Sequence, residues 1–193
     1  APNVTIESYG FEQEGGLQPG FLYTDPGWTT EGQWEFGVPT GGGSHDGDPT
    51  SGYTGSNVYG YNLTGDYPNF LPARSLTSTP FDLTEGAGTR IEFQRWLGVE
   101  NSDFDHAAVE ISTDGANWTP VWEHTGGEIS DSVWTLVSYD ISSVADGQPA
   151  VSFRWVMGAT DQSQTYPGWN IDDVRILQAA PPLGCETVPS EPY

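Results

Sequence analysis

The sequence contains no lysine, and five arginines face 27 acidic residues. The formal net charge of −22 at pH 7 produces a negative potential that repels phosphate groups. We therefore expect neither nucleic acid nor an anionic membrane surface among the partners. The same charge suits divalent cations or high-salt surroundings. A generic acidic surface of a secreted protein accounts equally well for most of these carboxylates.

Cysteine and long apolar segments are also scarce. The single cysteine, Cys185, excludes a disulfide within the chain. No apolar run approaches the length of a transmembrane helix or of the apolar part of a signal peptide, so we expect no membrane insertion. The opening residues, APNVTIES, are typical of a mature or excised fragment. We infer a secreted or cell-surface location from the acidity, the missing lysine and the β-rich pattern described below.

Motifs of common enzyme classes are missing as well. The sequence has no HExxH, GxSxG, P-loop or GxGxxG motif. The three histidines, His45, His106 and His124, are far apart and none has metal-ligand spacing to another. We therefore expect a non-catalytic protein. A carboxylate pair for glycoside hydrolysis stays open, because any two of the 27 acidic residues could meet in space.

What the sequence does contain is the pattern of an all-β domain. Glycine (25 residues) and proline (15 residues) are frequent, helical periodicity is hard to find, and turn signals such as Asp114-Gly115 separate short apolar segments. This pattern predicts a two-sheet antiparallel β-sandwich of jelly-roll type over residues 1–178, followed by a Pro-rich linker or tail at 179–193. The main strands are predicted within residues 1–14, 57–63, 89–99, 106–113, 133–142, 150–158 and 166–177.

Two of these segments echo each other, FQRWLG at 93–98 and FRWVMG at 153–158. We interpret them as two neighbouring strands with similar packing demands and not as a duplication.

The closing segment YPGWNIDDVRIL (166–177) carries two adjacent carboxylates in an apolar strand. Successive side chains of a strand face opposite sides, so simple counting places Asp172 on the same face as Val174 and Ile176. A carboxylate pointing toward the core must be hydrogen-bonded, paired or bound to a metal, because an unpaired buried charge costs several kcal/mol. The alternative is a strand end that has already reached solvent.

Three segments could supply oxygen ligands for calcium, which prefers six to eight of them in a flexible arrangement. Glu12 lies at the end of the first strand, Asp46 and Asp48 lie in a Gly-rich loop, and Asp172 lies in the last strand. The stretch from 15 to 57 is long for a loop, and such loops are usually functional or organised by a ligand. A solvated turn is the alternative for the loop residues.

Several short motifs carry a resemblance to a known group: GFEQEG, DPTSGYTGSNVYG, SLTSTPFDL, IEFQRWLG and GWNIDDVRI. Over about residues 6 to 177 the chain resembles the MAM and cleaved-adhesin group of jelly-roll sandwiches, which includes the gingipain adhesin domains. The resemblance implies an accessory domain of a secreted protein, found for example behind bacterial peptidases. The paired cysteines of vertebrate MAM domains are missing here, which favours a bacterial relative.

The same resemblance implies a cation site. In that group an early Glu, a loop Asp and an Asp of the closing pair often contribute ligands. By position these are Glu12, Asp48 and Asp172, with Asp46 as a further candidate and Ca²⁺ as the expected ion.

Two further groups of residues are candidates for binding. Glu100, Asp103, Asp105 and Asp161 could form a second metal site or a ligand loop, although a solvated acidic loop is the preferred alternative. Aromatic residues in or near loops could stack on sugar rings, and these are Tyr53, Tyr67, Phe70 and Tyr166.

The sequence thus predicts a non-catalytic, calcium-stabilised recognition or adhesion module of a larger secreted or cell-surface bacterial protein. Its expected partners are an extracellular protein or polysaccharide and the neighbouring domains of the same chain. The alternative is a carbohydrate-binding module that uses the rim aromatics and the acidic loops.

Overall fold

A computed structural model describes residues 3–12 and 25–180 of the 193-residue chain. These residues form 13 β-strands and one short helix. The strands are β1 (Asn3–Tyr9), β2 (Thr29–Thr30), β3 (Trp34–Gly37), β4 (Val58–Tyr61), β5 (Arg74–Thr77), β6 (Phe81–Leu83), β7 (Arg90–Val99), β8 (Ala107–Ser112), β9 (Thr119–Glu123), β10 (Ile129–Ser130), β11 (Thr135–Asp140), β12 (Gln148–Met157) and β13 (Gly168–Ala179), and helix α1 spans Ser142–Ala145.

The strands form two antiparallel sheets. One sheet has seven strands in the order β10-β7-β13-β4-β3, with β1 paired to β13 and β11 paired to β7. The other has six strands in the order β2-β5-β12-β8-β9, with β6 paired to β12. This confirms the predicted two-sheet antiparallel β-sandwich of jelly-roll type.

Aromatic side chains fill the space between the sheets. Phe93 of β7 meets Trp155 of β12 edge to face, with 5.4 Å between the ring centroids. Trp28 stacks on Trp155 at 5.5 Å and on Tyr59 of β4 at 5.6 Å, with interplanar angles of 12° and 4°. Stacked and edge-to-face rings are the favoured arrangements of aromatic pairs. The high aromatic content of the sequence is therefore largely core.

The two segments that echo each other lie in different sheets. β7 contains the first and β12 the second, and they face each other through Phe93 and Trp155. The interpretation as neighbouring strands is wrong, because each occupies an interior position of its own sheet. Their similarity follows from packing against the same core from opposite sides.

A β-bulge in β13 changes the side to which Asp172 points. Asp172 pairs with Gln94 of β7 and Arg175 pairs with Glu92, so two residues of β13 stand opposite Phe93 alone. Asp173 adopts a left-handed backbone with φ +47°, as an extra residue in a bulge can require.

The extra residue shifts the alternation of side chains along β13. Trp169 and Ile171 face the core before the bulge, and Val174 and Ile176 face it afterwards. Simple counting along the strand was therefore wrong. Asp172 points to the outer face of the sheet, the face turned away from the other sheet.

Some predicted features fall beyond the part of the chain that the structure describes. Strand β13 ends at Ala179, and residues 181–193 of the predicted tail, with Cys185, lie outside the described residues. Within the described ranges, no helix has the length and apolar character needed to cross a membrane.

We expect Phe93→Ala to lower the free energy of unfolding by about 3–5 kcal/mol, because it removes a fully buried ring at the centre of the core. Leu136→Ala is the matched control on the adjacent strand β11, where Leu136 is 56% exposed, and it should change stability by less than about 0.5 kcal/mol. Urea unfolding followed by circular dichroism measures both values. Equal losses for the two variants would contradict the assignment of the core.

Candidate metal centre

A loop without regular secondary structure covers the outer face of β13. This covering loop, residues 38–57, connects β3 to β4. Its Gly47 carbonyl accepts a hydrogen bond from the Trp96 indole at 2.9 Å, which fastens the loop to β7. Residues 168–174 are all buried, so β13 is covered on both faces. Polar groups on its outer face must therefore find partners in the covering loop.

Glu12 binds the end of the covering loop, three residues after β1 ends. Its Oε1 accepts hydrogen bonds from the backbone N–H of Ser56 at 2.7 Å and from the side-chain amide of Asn57 at 2.8 Å. The backbone N–H of Asn57 is a third donor to the same atom. One carboxylate oxygen thus gathers three N–H groups, which fixes the loop against the first strand.

Asp172 binds the same part of the loop. Its Oδ2 accepts a hydrogen bond from the Thr54 backbone N–H at 3.0 Å, and its Oδ1 accepts one from the Asp173 N–H at 2.7 Å. Asp173 in turn accepts a hydrogen bond from the Thr54 hydroxyl at 2.8 Å. Asp172 is completely buried. The structure therefore brings Glu12 and Asp172 to one short segment, residues 52–57.

Gly52 marks a narrow space between oxygen atoms. The backbone carbonyls of Thr54 and Asn57 and the Oδ2 of Asp172 all lie within 2.9 Å of the point that a Cβ on residue 52 would occupy. Only glycine leaves this space open. Backbone carbonyls and a carboxylate are the kinds of ligand that calcium prefers. The chemistry of these donors therefore matches a calcium ion.

Asp48 of the covering loop lies beside Asn170 of β13. Its Oδ1 accepts a hydrogen bond from the Asn170 amide at 2.7 Å. The Oδ2 of Asp48 and the Oδ1 of Asn170 are buried without a hydrogen-bond partner among the described residues. Asp46 is exposed and accepts a hydrogen bond from the Ser130 hydroxyl at 3.1 Å. Of the four residues predicted for one site, Glu12 and Asp172 thus meet at residues 52–57, whereas Asp46 and Asp48 lie elsewhere in the covering loop.

Burial without a basic partner distinguishes several of these acids. The ion pairs among the described residues are Arg90–Asp140, Arg95–Asp131, Arg154–Glu110 and Arg175–Asp173. None includes the buried carboxylates of Asp48, Glu100, Asp105 or Asp172. A buried carboxylate without a cation is costly unless it is neutralised or strongly hydrogen-bonded.

Burial raises the pKa of two of these groups to about 7. For Asp172 desolvation dominates, partly offset by the N–H groups of Thr54 and Asp173. For Asp48 desolvation also dominates, the Asn170 hydrogen bond lowers the pKa, and the negative charge of Asp66 raises it. Both groups therefore hold their protons far above the ordinary range of aspartate.

The second predicted group forms a compact cluster. Carboxylate oxygens of Glu100, Asp105 and Asp161 lie within 4.8 Å of one another. Glu100 accepts hydrogen bonds from Ser163 and Gln164 at 3.0 and 3.2 Å. Of the four residues predicted here, Asp103 stays outside the cluster and is exposed.

Asp105 is the completely buried member of this cluster. Its Oδ2 accepts a hydrogen bond from the Tyr67 hydroxyl at 2.5 Å, and its Oδ1 accepts one from the Asp161 backbone N–H at 2.8 Å. The cluster is therefore linked to the core through Tyr67, and both its loops are held in place.

The aromatic residues predicted to stack on sugars divide into two pairs. Tyr53 and Phe70 are exposed, at 53% and 70%. Tyr67 and Tyr166 are buried in the core, where their hydroxyls donate to Asp105 and Glu128. Because a ligand at the surface cannot reach buried rings, the expectation of a platform containing Tyr67 and Tyr166 is corrected.

Several residues of the site were missed from the sequence. The Thr54 and Asn57 carbonyls contribute through the backbone, which carries no residue-specific signal. Asn170 was missed because an uncharged amide is far less conspicuous in an apolar strand than the two aspartates that follow it. The glycines at 52 and 55 were a usable signal. A Cβ at residue 52 would collide with carbonyl oxygens of the loop, and a Cβ at residue 55 would collide with Glu12.

In the presence of EDTA, we expect the free energy of unfolding to fall as the pH rises from about 4 to about 7. An unfolded aspartate loses its proton near pH 3.9, whereas folded Asp48 and Asp172 keep theirs to about pH 7. The folded state therefore binds more protons within this window, and each group lowers stability by up to about 1.4 kcal/mol per pH unit.

Urea unfolding across this pH window checks the expectation. The Asp172→Asn variant should give a flatter pH dependence, and Glu85→Gln, which removes an exposed acid, should leave the dependence as in the wild type. Parallel curves for the wild type and Asp172→Asn would show that Asp172 ionises normally in the folded state.

Comparison with known proteins places the chain in a family. The chain is 30% identical over 177 residues to Bacillopeptidase F of Bacillus subtilis (strain 168), a match that covers 90% of this chain but 11% of that protein. A family profile described as Reelin subrepeat B matches residues 67–177 of this chain.

Solved structures are similar to the chain at low sequence identity. The K1 cleaved adhesin domain of Lys-gingipain from Porphyromonas gingivalis W83 is 18% identical, with 91% of this chain and 98% of that chain covered and a TM-score of 0.48. The CBM22-1–GH10 modules of Xyn10B from Clostridium thermocellum are 13% identical, with 91% and 29% covered and a TM-score of 0.50. The family profile, which spans more than half of the sequence, names a group other than the MAM domains that the motifs resembled. The chain belongs to the Reelin subrepeat B family.

Proposed function

We propose that this chain is a non-catalytic, calcium-stabilised recognition or adhesion module of a larger secreted or cell-surface protein. Calcium would be held by Asp172 and Glu12 together with the backbone carbonyls of Thr54 and Asn57. The observation that carries the proposal is the convergence of carboxylate and carbonyl oxygens beside Gly52. The bound ion would supply the positive charge that the buried carboxylates lack.

The segments that meet there support a structural role for the ion. Glu12 comes from the residues just after β1, residues 52–57 from the covering loop, and Asp172 from β13. A cation shared by these segments would couple the first strand, the loop and the last strand. Because it binds only the folded arrangement, it would raise stability by mass action.

The carboxylate cluster of Glu100, Asp105 and Asp161 is the second place where a cation would fit. Its oxygens are close together, and two of its members are buried without a basic partner. An ion there would tie the loop after β7 to the loop after β12. Asp48 with Asn170 would contribute oxygen atoms farther along β13.

A non-catalytic role is supported by the location of the titratable groups. Asp48 and Asp172, whose pKa values of about 7 would suit acid–base chemistry, are 4% and 0% exposed. A substrate cannot reach them beneath the covering loop. The match to 11% of the length of Bacillopeptidase F supports a module that accompanies other domains, and an extracellular location fits the net charge of −22.

We expect calcium to raise the thermal midpoint of the EDTA-treated protein by several degrees at pH 7. An ion at 100 times its dissociation constant adds about 2.7 kcal/mol, which is a shift on this scale for a domain of this size. Asp172→Asn should abolish most of the calcium-dependent shift, because it removes the charge and retains the shape of the side chain. Differential scanning calorimetry with calcium titrated back measures the shift.

Two variants complete this test. Glu85→Gln removes one exposed acid and should keep the full calcium-dependent shift. Asp161→Asn addresses the second cluster: loss of the shift in this variant alone would move the ion to Glu100 and Asp105. If calcium leaves the wild-type midpoint unchanged, the calcium proposal is wrong and the carboxylates are held by hydrogen bonds and protons.

A further inference from the structure

The outer face of the six-stranded sheet contains a cavity of about 480 Å³, within the range of small-molecule binding sites. It crosses β12, β8 and β9. Small residues make the space: Ala73, Ala107, Ala108 and Gly158 lie along its lining, with Val156 as an apolar patch on β12. The cavity lies on the opposite side of the sandwich from the covering loop.

Polar side chains of both charges surround this apolar floor. Arg154 of β12 donates from Nε to Glu110 of β8, and its guanidinium lies 4.4 Å from the ring centroid of Trp118. Glu123 of β9 is exposed and forms no side-chain hydrogen bond with another described residue. The terminal N–H groups of Arg154 likewise donate to no other described residue, so the groove offers donors on β12 and acceptors on β8 and β9.

His124 lies at one end of the cavity. Its Nε2 donates a hydrogen bond to the Glu100 carbonyl oxygen at 2.8 Å. The exposed His106 lies beside it.

The cavity continues toward β5 and the edge of the sheet. A smaller space of about 80 Å³ shares Ala73, Arg154 and Val156 with it and reaches Glu31 and Arg74. Together they cross the four strands β5, β12, β8 and β9. At about 4.8 Å between neighbouring strands, the groove is roughly 14 Å long, which suits an extended ligand.

The mixture of groups discriminates between classes of ligand. An anionic ligand would meet Glu110 and Glu123, and a cationic one would meet Arg154, so neither sign of charge is matched. A peptide that adds a strand needs a free sheet edge, whereas this groove exposes side chains on a sheet face. Hydroxyl groups both donate and accept, and the carbon face of a sugar ring can lie on Ala108 and Val156.

We propose that this groove binds a neutral saccharide chain, with Arg154, Glu110 and Glu123 bonding its hydroxyl groups. The proposal rests on the recognition role proposed above and gives it a site. It differs from a platform of rim aromatics, because the ligand lies across the strands of one sheet. It does not involve Glu12 or Asp172, which lie with the other sheet.

Native gel electrophoresis of the full chain through dissolved polysaccharide tests the groove. The probes are arabinoxylan, xyloglucan, mixed-linkage β-glucan and α-mannan, with polygalacturonate as the anionic comparison. We expect at least one neutral polymer to retard the wild type. Ala108→Trp fills the floor, and Glu123→Ala removes an exposed acceptor. Each should lower the affinity derived from the retardation about tenfold, equivalent to about 1.4 kcal/mol.

A control variant separates binding in the groove from binding at the aromatic rim. Tyr53→Ala, at an exposed rim aromatic, should keep the wild-type retardation. The proposal is overturned if no neutral polymer retards the protein, if Ala108→Trp and Glu123→Ala bind as the wild type does, or if only polygalacturonate acts. Retardation without a calcium-dependent melting shift would reject the calcium site alone, and the converse result would reject the groove alone.

Discussion

The burial of β13 on both faces is the constraint on which the rest of the structure depends. One face lies against the six-stranded sheet, and the other is covered by a loop without strands of its own. A loop in that position brings backbone N–H groups that need acceptors. Glu12 and Asp172 supply them, and for the fully buried Asp172 the cost is a carboxylate in a place that water does not reach. A retained proton on Asp172 would resolve this conflict, and so would the cation proposed above.

Much of the fold could be predicted from the sequence because its strands are bounded by clear turn residues. The hairpin at Asp114-Gly115 joins β8 and β9 as expected, and the long strands β7 and β12 fall within a residue or two of their predicted limits. The short strands β2 and β10, each of two residues, have no pattern of their own. They form because a longer strand beside them offers free backbone groups.

The candidate site was predictable in part. The sequence pointed to Glu12 and Asp172, and the structure places both on residues 52–57. It could not show that a bulge turns Asp172 to the outer face, because one extra residue leaves no mark on composition and reverses every later side chain. The pairing of Asp48 with Asn170 depends on the path of the covering loop, which short-range pattern cannot specify.

The calcium site at residues 52–57 and the saccharide groove use opposite surfaces of one sandwich. The side chain of Asp172 lies outside the seven-stranded sheet, and the groove lies outside the six-stranded one. The core of Phe93, Trp155 and their neighbours separates them. Such a division allows the loops of one face to be held rigid for stability while the side chains of the other change with the ligand to be recognised.

The aromatic stack has a consequence for how this molecule can be observed. Trp28 lies nearly parallel to Tyr59 of one sheet and to Trp155 of the other. Rings held at fixed, small separations couple their electronic transitions, and the coupling vanishes when the rings part. The near-ultraviolet circular dichroism of the unlabelled protein is therefore an optical signal for the closure of the two sheets on each other, distinct from the far-ultraviolet signal of the strands themselves.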